Sequence, residues 1–278
     1  MLPHVSIDSL DAPFLEPYRT LRRPLDHQKR GIFVAEGATV VRRLLESSLD
    51  IVSFLLSPEW LRDLEHLIRR RSTVPEIYVA DKRLLEQIVG FPLHQGAMAV
   101  ARVPIPETAE DLVARSAGVL LLVALDGMTN AENVGLVVRN CAAFGADGIV
   151  VGETSSSPYL RRAVRNSMGT VFQVPVVSST NLAQTLRDLA HRFGVQTIAA
   201  HPGARRSIID GWRVGPSCCI VFGSEGEGIS QAVLDACTSH VAIPMANDVD
   251  SLNVASASAV FLYALTRSRK DSGISAEP

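Results

Sequence analysis

Lysine is nearly missing from this chain: only Lys29, Lys82 and Lys270 occur among its 27 basic residues. Codon bias would produce that imbalance, and so would selection for guanidinium forks that grip phosphate. Composition leaves the choice open. An excess of positive charge is also absent, because 27 basic and 29 acidic residues give a formal charge of −2. A globally basic nucleic-acid binder is excluded, whereas local basic patches are not. Aromatic residues amount to 5%, too few for extensive base stacking. The four cysteines, Cys141, Cys218, Cys219 and Cys237, contain no C-x-x-C pair, which argues against a disulfide framework or a zinc site. The opening Met-Leu-Pro-His-Val-Ser lacks the charged and apolar regions of a signal peptide. The longest apolar stretch, Val119 to Leu125, is far too short to span a membrane. A cytoplasmic protein with no metal and no membrane partner is expected.

What is present describes an ordinary globular chain, with 47% hydrophobic and 20% charged residues over 278 positions. That length predicts about two domains. The stretch Arg102-Val-Pro-Ile-Pro-Glu-Thr-Ala-Glu-Asp111 reads as a linker, with two prolines and several carboxylates between apolar runs. Boundaries are expected at 1–103, 104–117 for the linker, 118–270, and a flexible tail from 271 to 278. Before the linker, helical spacing is seen over 36–48 and 61–71, and strand patterns at 51–56 and 76–79. After it, strand-length apolar runs at 119–125, 148–152, 173–177, 196–200, 218–222 and 240–244 alternate with helical patterns, notably over 133–144 and 181–193. Near-continuous apolar strands in βα repeats predict an α/β fold with a buried parallel sheet. A small α/β domain precedes it.

Parallel sheets bind ligands at the carboxyl ends of their strands, so the loops after strands are the candidates. The first is Asp126-Gly-Met-Thr-Asn-Ala-Glu-Asn-Val-Gly135, where Asn133 reads as a helix cap. Six residues on, Arg139 stands in a segment otherwise written for burial, and a hidden guanidinium needs an anionic partner. The second is Phe222-Gly-Ser-Glu-Gly-Glu-Gly-Ile-Ser230. Its glycines allow close backbone approach to a ligand. They miss both the P-loop and the dinucleotide spacing, and Glu225 and Glu227 suit a cationic or zwitterionic ligand better than a pyrophosphate. The third is Ile243-Pro-Met-Ala-Asn-Asp-Val-Asp-Ser-Leu-Asn-Val-Ala255, where Ser251 and Asn253 stand at a helix start. The small-residue run Ala255 to Ala259 that follows permits close helix packing.

Together and in this order, Gly-Ser-Glu-Gly-x-Gly-Ile, Ile-Pro-Met and Ser-Leu-Asn-Val resemble the signature motifs of the TrmH (SpoU) family of RNA ribose 2′-O-methyltransferases, in the SPOUT superfamily. The resemblance runs from about Arg19 to Arg267. It takes in Gly31-Ile-Phe-Val-Ala-Glu-Gly37, Gly90-Phe-Pro-Leu-His-Gln-Gly96 and Pro158-Tyr-Leu-Arg-Arg-Ala-Val-Arg-Asn-Ser-Met-Gly169. It implies a C-terminal SPOUT domain with a deep trefoil knot, behind a small α/β domain that binds the RNA substrate. S-adenosylmethionine is implied as cofactor, held around Gly223, Ile243 and Leu252. The implied catalytic set is Asn133, Arg139, Glu225, Ser251 and Asn253. Arg139 would act either as the base for the 2′-hydroxyl or as a cation on phosphate and oxyanion. A homodimer and a ribosomal or transfer RNA substrate are implied too. The first motif departs from the pattern, since Ala131 follows Asn130 where many relatives have proline.

Phosphate contacts need local positive charge. Arg19, Arg22, Arg23, Lys29 and Arg30 crowd one stretch against Asp26, and Arg161, Arg162 and Arg165 form a second cluster. Both are assigned to RNA; Arg69 to Arg71 are assigned to a solvated face. The rival readings are a non-catalytic RNA-binding protein that keeps the knotted fold, and a dinucleotide-dependent oxidoreductase, which the glycine spacing disfavours.

Overall fold

The computed structural model describes residues 2–9, 11–90, 96–116, 118–208, 214–247 and 249–271. Most of the expected tail and of the Gly90–Gly96 segment lies outside them. In chain order the first elements are β1 (Val5–Ser6), α1 (Glu16–Arg19), α2 (Pro24–Lys29), β2 (Ile32–Glu36), α3 (Ala38–Glu46), β3 (Ile51–Leu56), α4 (Pro58–Ile68), β4 (Glu76–Val79), α5 (Lys82–Val89) and β5 (Ala97–Arg102). There follow α6 (Ala109–Arg115), β6 (Leu120–Leu125), α7 (Ala131–Ala143), β7 (Gly148–Val151), α8 (Arg161–Asn166), β8 (Val176–Ser178) and α9 (Leu182–Phe193). The last are β9 (Gln196–Ala200), β10 (Arg206–Ser207), β11 (Ser217–Phe222), α10 (Gln231–Leu234), β12 (Ser239–Ala242) and α11 (Val254–Asp271). These divide into two units: Met1–Ile105 with Tyr159–Gln173, and Pro106–Pro158 with Val174–Pro278. No helix among the described residues is long and apolar enough to cross a membrane.

The first unit holds a mixed sheet of order β1-β4-β3-β5-β2. β5 runs antiparallel to both β2 and β3, while β3 and β4 are parallel. Helical spacing places Glu36 at the start of a helix, but the structure ends β2 on it. Ile32 to Ala35 are buried and pair with β5, which extends the strand, and Gly37 (φ 98°) turns the chain into α3. α4 starts three residues earlier than its apolar face suggests, because Ser57 caps it and Pro58 fits the first turn. Of the three arginines assigned to a solvated face, Arg71 departs from that expectation. Its guanidinium donates to the carbonyls of Leu45, Ser47 and Leu49, closing the end of α3.

Residues 159–173 group with this unit although they lie far along the chain. α8 packs on β2, where the buried Glu36 carboxylate pairs with both Arg161 and Arg165.

The second unit is a seven-stranded parallel sheet of order β10-β12-β9-β11-β6-β7-β8. β6 is buried at every position and β11 at all but Ser217, as expected of central strands covered on both faces. The expected linker is partly structured: Thr108 and Asp111 form a capping box that opens α6, and Leu112 is buried in the core. β8 begins later than the apolar run 173–177 suggests, because Thr170–Phe172 form a 3-10 turn. Asn130 caps α7, accepting from the N–H groups of Glu132 and Asn133, so the role expected of Asn133 falls three residues earlier.

The Glu36 pairings lead to the first prediction. Replacing Glu36 by alanine removes the buried carboxylate that Arg161, whose side chain is only 17% exposed, shares with Arg165. Unfolding of this unit in urea should then cost about 3 kcal/mol less.

Candidate active site

β6 and β11 pair in register, Phe222 beside Leu125, so the loops that follow them leave the sheet side by side. Asp126 ties them together. Its N–H donates to the Phe222 carbonyl at 2.9 Å, and its Oδ2 accepts the Ser230 N–H at 2.7 Å. The residue is buried, and sequence reasoning passed over it as part of a loop.

The loop after β11 closes on itself. Ser224 and Gly228 exchange backbone hydrogen bonds of 3.0 and 3.1 Å. A Cβ on Gly223 would lie 2.1 Å from the Gly228 carbonyl carbon, and Gly228 has φ +70°. Two of the three glycines are therefore required by the loop itself, while all three line the cavity beside it. Gly226 and Gly228 both have nothing near the missing Cβ, and of these two only Gly226 lacks the positive φ that favours glycine.

That closure presents Glu225. Its Oε1 accepts from Asn133 Nδ2 and, at 2.7 Å, from Asn253 Nδ2. Asn253 Nδ2 also lies 3.3 Å from Asn133 Oδ1, while Asn253 Oδ1 accepts the Ala255 N–H at 2.9 Å and so starts α11. One residue from the first turn of α7, one from the loop after β11 and one just before α11 thus form one cluster. Asn133 is buried; the other two are exposed.

Beside the cluster lies a cavity of about 530 Å³ lined by Gly223, Glu225, Ile243, Ser251, Leu252 and Asn253, among others. Among the described residues no lysine or arginine lines it, whereas Glu225, Glu227 and Asp250 do. The wall also includes His201, Met245 and Phe261, which sequence reasoning missed. His201 follows β9, so the strand-end rule that found the other loops would have found it. Its Nδ1 accepts the Gly203 N–H at 3.1 Å.

Arg139 departs from expectation. It is exposed on α7 rather than buried, so it needs no buried anion, and it does not line the cavity. Six residues of helix separate it from Asn133, about 9 Å along the axis.

Among the cations assigned to RNA, Arg22, Arg23, Lys29 and Arg162 are exposed. Arg19 sits 3.9 Å from Asp11, and Arg30 pairs with Glu16. Arg161 and Arg165 share Glu36, so the second cluster is less positive than its sequence suggests. Burial pushes the Cys218 thiol up to about 11 and Cys237 to about 12, far from thiolate chemistry.

Glycine substitution separates the loop's own needs from the cavity's. Gly223→Ala should lower stability by about 2 kcal/mol or more, because backbone has to move. Gly226→Ala should leave thermal unfolding unchanged. Equal effects of the two would contradict the loop geometry.

Comparison with known proteins follows the same outline. Residues 120–263 match the SpoU rRNA methylase family. The chain is 31% identical over 269 residues to an uncharacterized tRNA/rRNA methyltransferase of Mycobacterium tuberculosis, covering 93% of this chain and 90% of that protein. The SpoU methyltransferase AviRb from Streptomyces viridochromogenes, solved in complex with the cofactor AdoMet, has a similar fold. Its TM-score is 0.80 at 21% identity, over 93% of this chain and 98% of that one. A solved RNA 2′-O ribose methyltransferase gives 0.74 at 25% identity, over 96% and 100%. With a matching family model over its sheet and a relative along nearly its whole length, the chain belongs to the SpoU rRNA methylase family of RNA methyltransferases.

Proposed function

We propose that this protein methylates the ribose 2′-hydroxyl of a structured RNA, ribosomal or transfer, using S-adenosylmethionine. The observation that carries the reading is the cavity wall, which among the described residues offers glycine backbone, apolar Ile243 and Leu252, and three carboxylates, with no lysine or arginine. Such a wall suits a ligand bearing a sulfonium and an ammonium and opposes the pyrophosphate of a dinucleotide. The solved RNA 2′-O ribose methyltransferase supports the choice of ribose oxygen.

When bound, the cofactor supplies a methyl group on a positively charged sulfur. Gly223, Ile243 and Leu252 would hold it. Asn133 and Asn253 fix the Glu225 carboxylate, and Ser251 is free to orient the ribose. Of the two roles open to Arg139, the cationic one fits better. An exposed guanidinium is suited to gripping an RNA phosphate and stabilising developing negative charge.

The reading extends to the assembly and the topology. A homodimer is supported by the exposed Val260 and Tyr263 on α11, beside Phe144 at the end of α7. A trefoil knot is supported by the return of the chain from β12, next to β9, to α11, which packs on α7. The N-terminal unit would select the RNA, and a cytoplasmic location goes with an RNA substrate.

Mapping of ribose methylation in RNA from cells with and without the protein tests the activity, and a site lost with the protein is expected. Calorimetric S-adenosylmethionine binding with no such site would leave a non-catalytic RNA-binding protein. Arg139→Ala should lower kcat about a hundredfold while cofactor affinity stays unchanged. Arg22→Glu combined with Arg23→Glu should weaken RNA binding and flatten its salt dependence, again without altering cofactor affinity.

A further inference from the structure

Among the described residues of the N-terminal unit one aromatic residue is exposed, and it lies just ahead of the main basic stretch in the chain. Phe14, in the 3-10 turn Pro13–Leu15, stacks on Tyr78 of β4 with ring centroids 4.5 Å apart and planes 17° apart. It nevertheless remains 41% exposed. Its support is rigid, because Tyr78 belongs to the buried core together with Leu15 and Tyr18. One face of the Phe14 ring is therefore held against the protein while much of the residue stays open.

From Phe14 the chain crosses the sheet. The Tyr18 hydroxyl meets Ser53 Oγ of β3 at 2.8 Å, and α2 packs on β2 at the far edge. Arg30 reaches back to Glu16, two residues from the ring. Arg22, Arg23 and Lys29 are exposed along the same path. In the sheet β4, under the ring, is separated from β2, under α2, by β3 and β5, roughly 14 Å, a span that a polyanion held on these cations can bridge while bringing flat bases to the ring.

We infer that Phe14 is a stacking platform for an unpaired base, so that this unit engages a single-stranded loop of its RNA rather than a duplex. The inference rests on the RNA-binding reading above and sharpens it. In a duplex the base faces are occupied by neighbouring bases, and A-form grooves offer phosphates and 2′-hydroxyls to a protein. An unpaired base offers a face, and stacking tolerates any base because each has one. The cations supply phosphate contacts that do not discriminate between the two forms. A single ring also agrees with the low aromatic content of the chain.

The experiment measures binding of the full chain to a single-stranded oligoadenylate and to a blunt duplex of equal length, at low salt. Phe14→Ala should weaken the single strand about tenfold and leave the duplex unchanged. Phe14→Trp should retain affinity, and its emission should be quenched by the single strand alone. Phe14→Leu, which keeps the bulk without the ring, should behave as the alanine variant does. Unchanged single-strand affinity in both Phe14→Ala and Phe14→Leu overturns the platform, as does an equal loss for both RNAs. A change of oligomeric state in Phe14→Ala, read by sedimentation, makes the ring a protein contact and overturns it too. Charge reversal at Arg22 and Arg23 separates the two levels. If it weakens both RNAs while Phe14→Ala does nothing, the basic face stands and the platform falls. If it weakens neither, the basic face falls and takes the platform with it.

Discussion

The parallel pairing of β6 with β11 is the constraint on which the candidate site depends. These strands lie almost a hundred residues apart, yet they align from Ser217 beside Leu120 to Phe222 beside Leu125. Their loops consequently start level, and Asp126 bonds one to the other. A shift by one residue would turn the apolar side chains of either strand to the opposite face. It would also part Glu225 from Asn133, because each is placed by counting forward from its strand end. The cluster of Asn133, Glu225 and Asn253 is in this sense a readout of strand register.

Charge is distributed by location rather than by total. The acidic residues of the second unit include the three carboxylates at the cavity, in keeping with a cationic ligand. The first unit carries exposed arginines on the path from α1 to α2, where RNA is proposed to lie. A net charge of −2 averages over both and describes neither. Arginine also does structural work here. Arg71 closes the end of α3, and Arg161 and Arg165 hold Glu36, so part of the arginine excess is engaged by the protein itself.

Much of the parallel sheet was legible in the chain. The run at 196–200 is strand β9 with the bounds its composition suggests, and 51–56 and 76–79 are likewise β3 and β4. Central strands are buried on both faces, so composition alone marks them. The misses share one cause. Glu36 reads as helical because it begins an amphipathic pattern, but backbone pairing with β5 claims it. Asn133 reads as a cap because it precedes apolar residues, whereas the bonds belong to Asn130. In each case a distant partner or a local bond outweighed the pattern.

Which residue types gather at the strand ends is decided by the sequence itself, because loops after apolar strands can be recognised from composition and glycine placement. Their convergence is a different matter. That Glu225 is gripped by two asparagines, that Gly223 serves the loop before any ligand, and that Arg139 stands outside the cavity follow only from the folded chain. Those relations are distances between segments far apart in sequence, set by strand order and helix packing. No local pattern of residues encodes them.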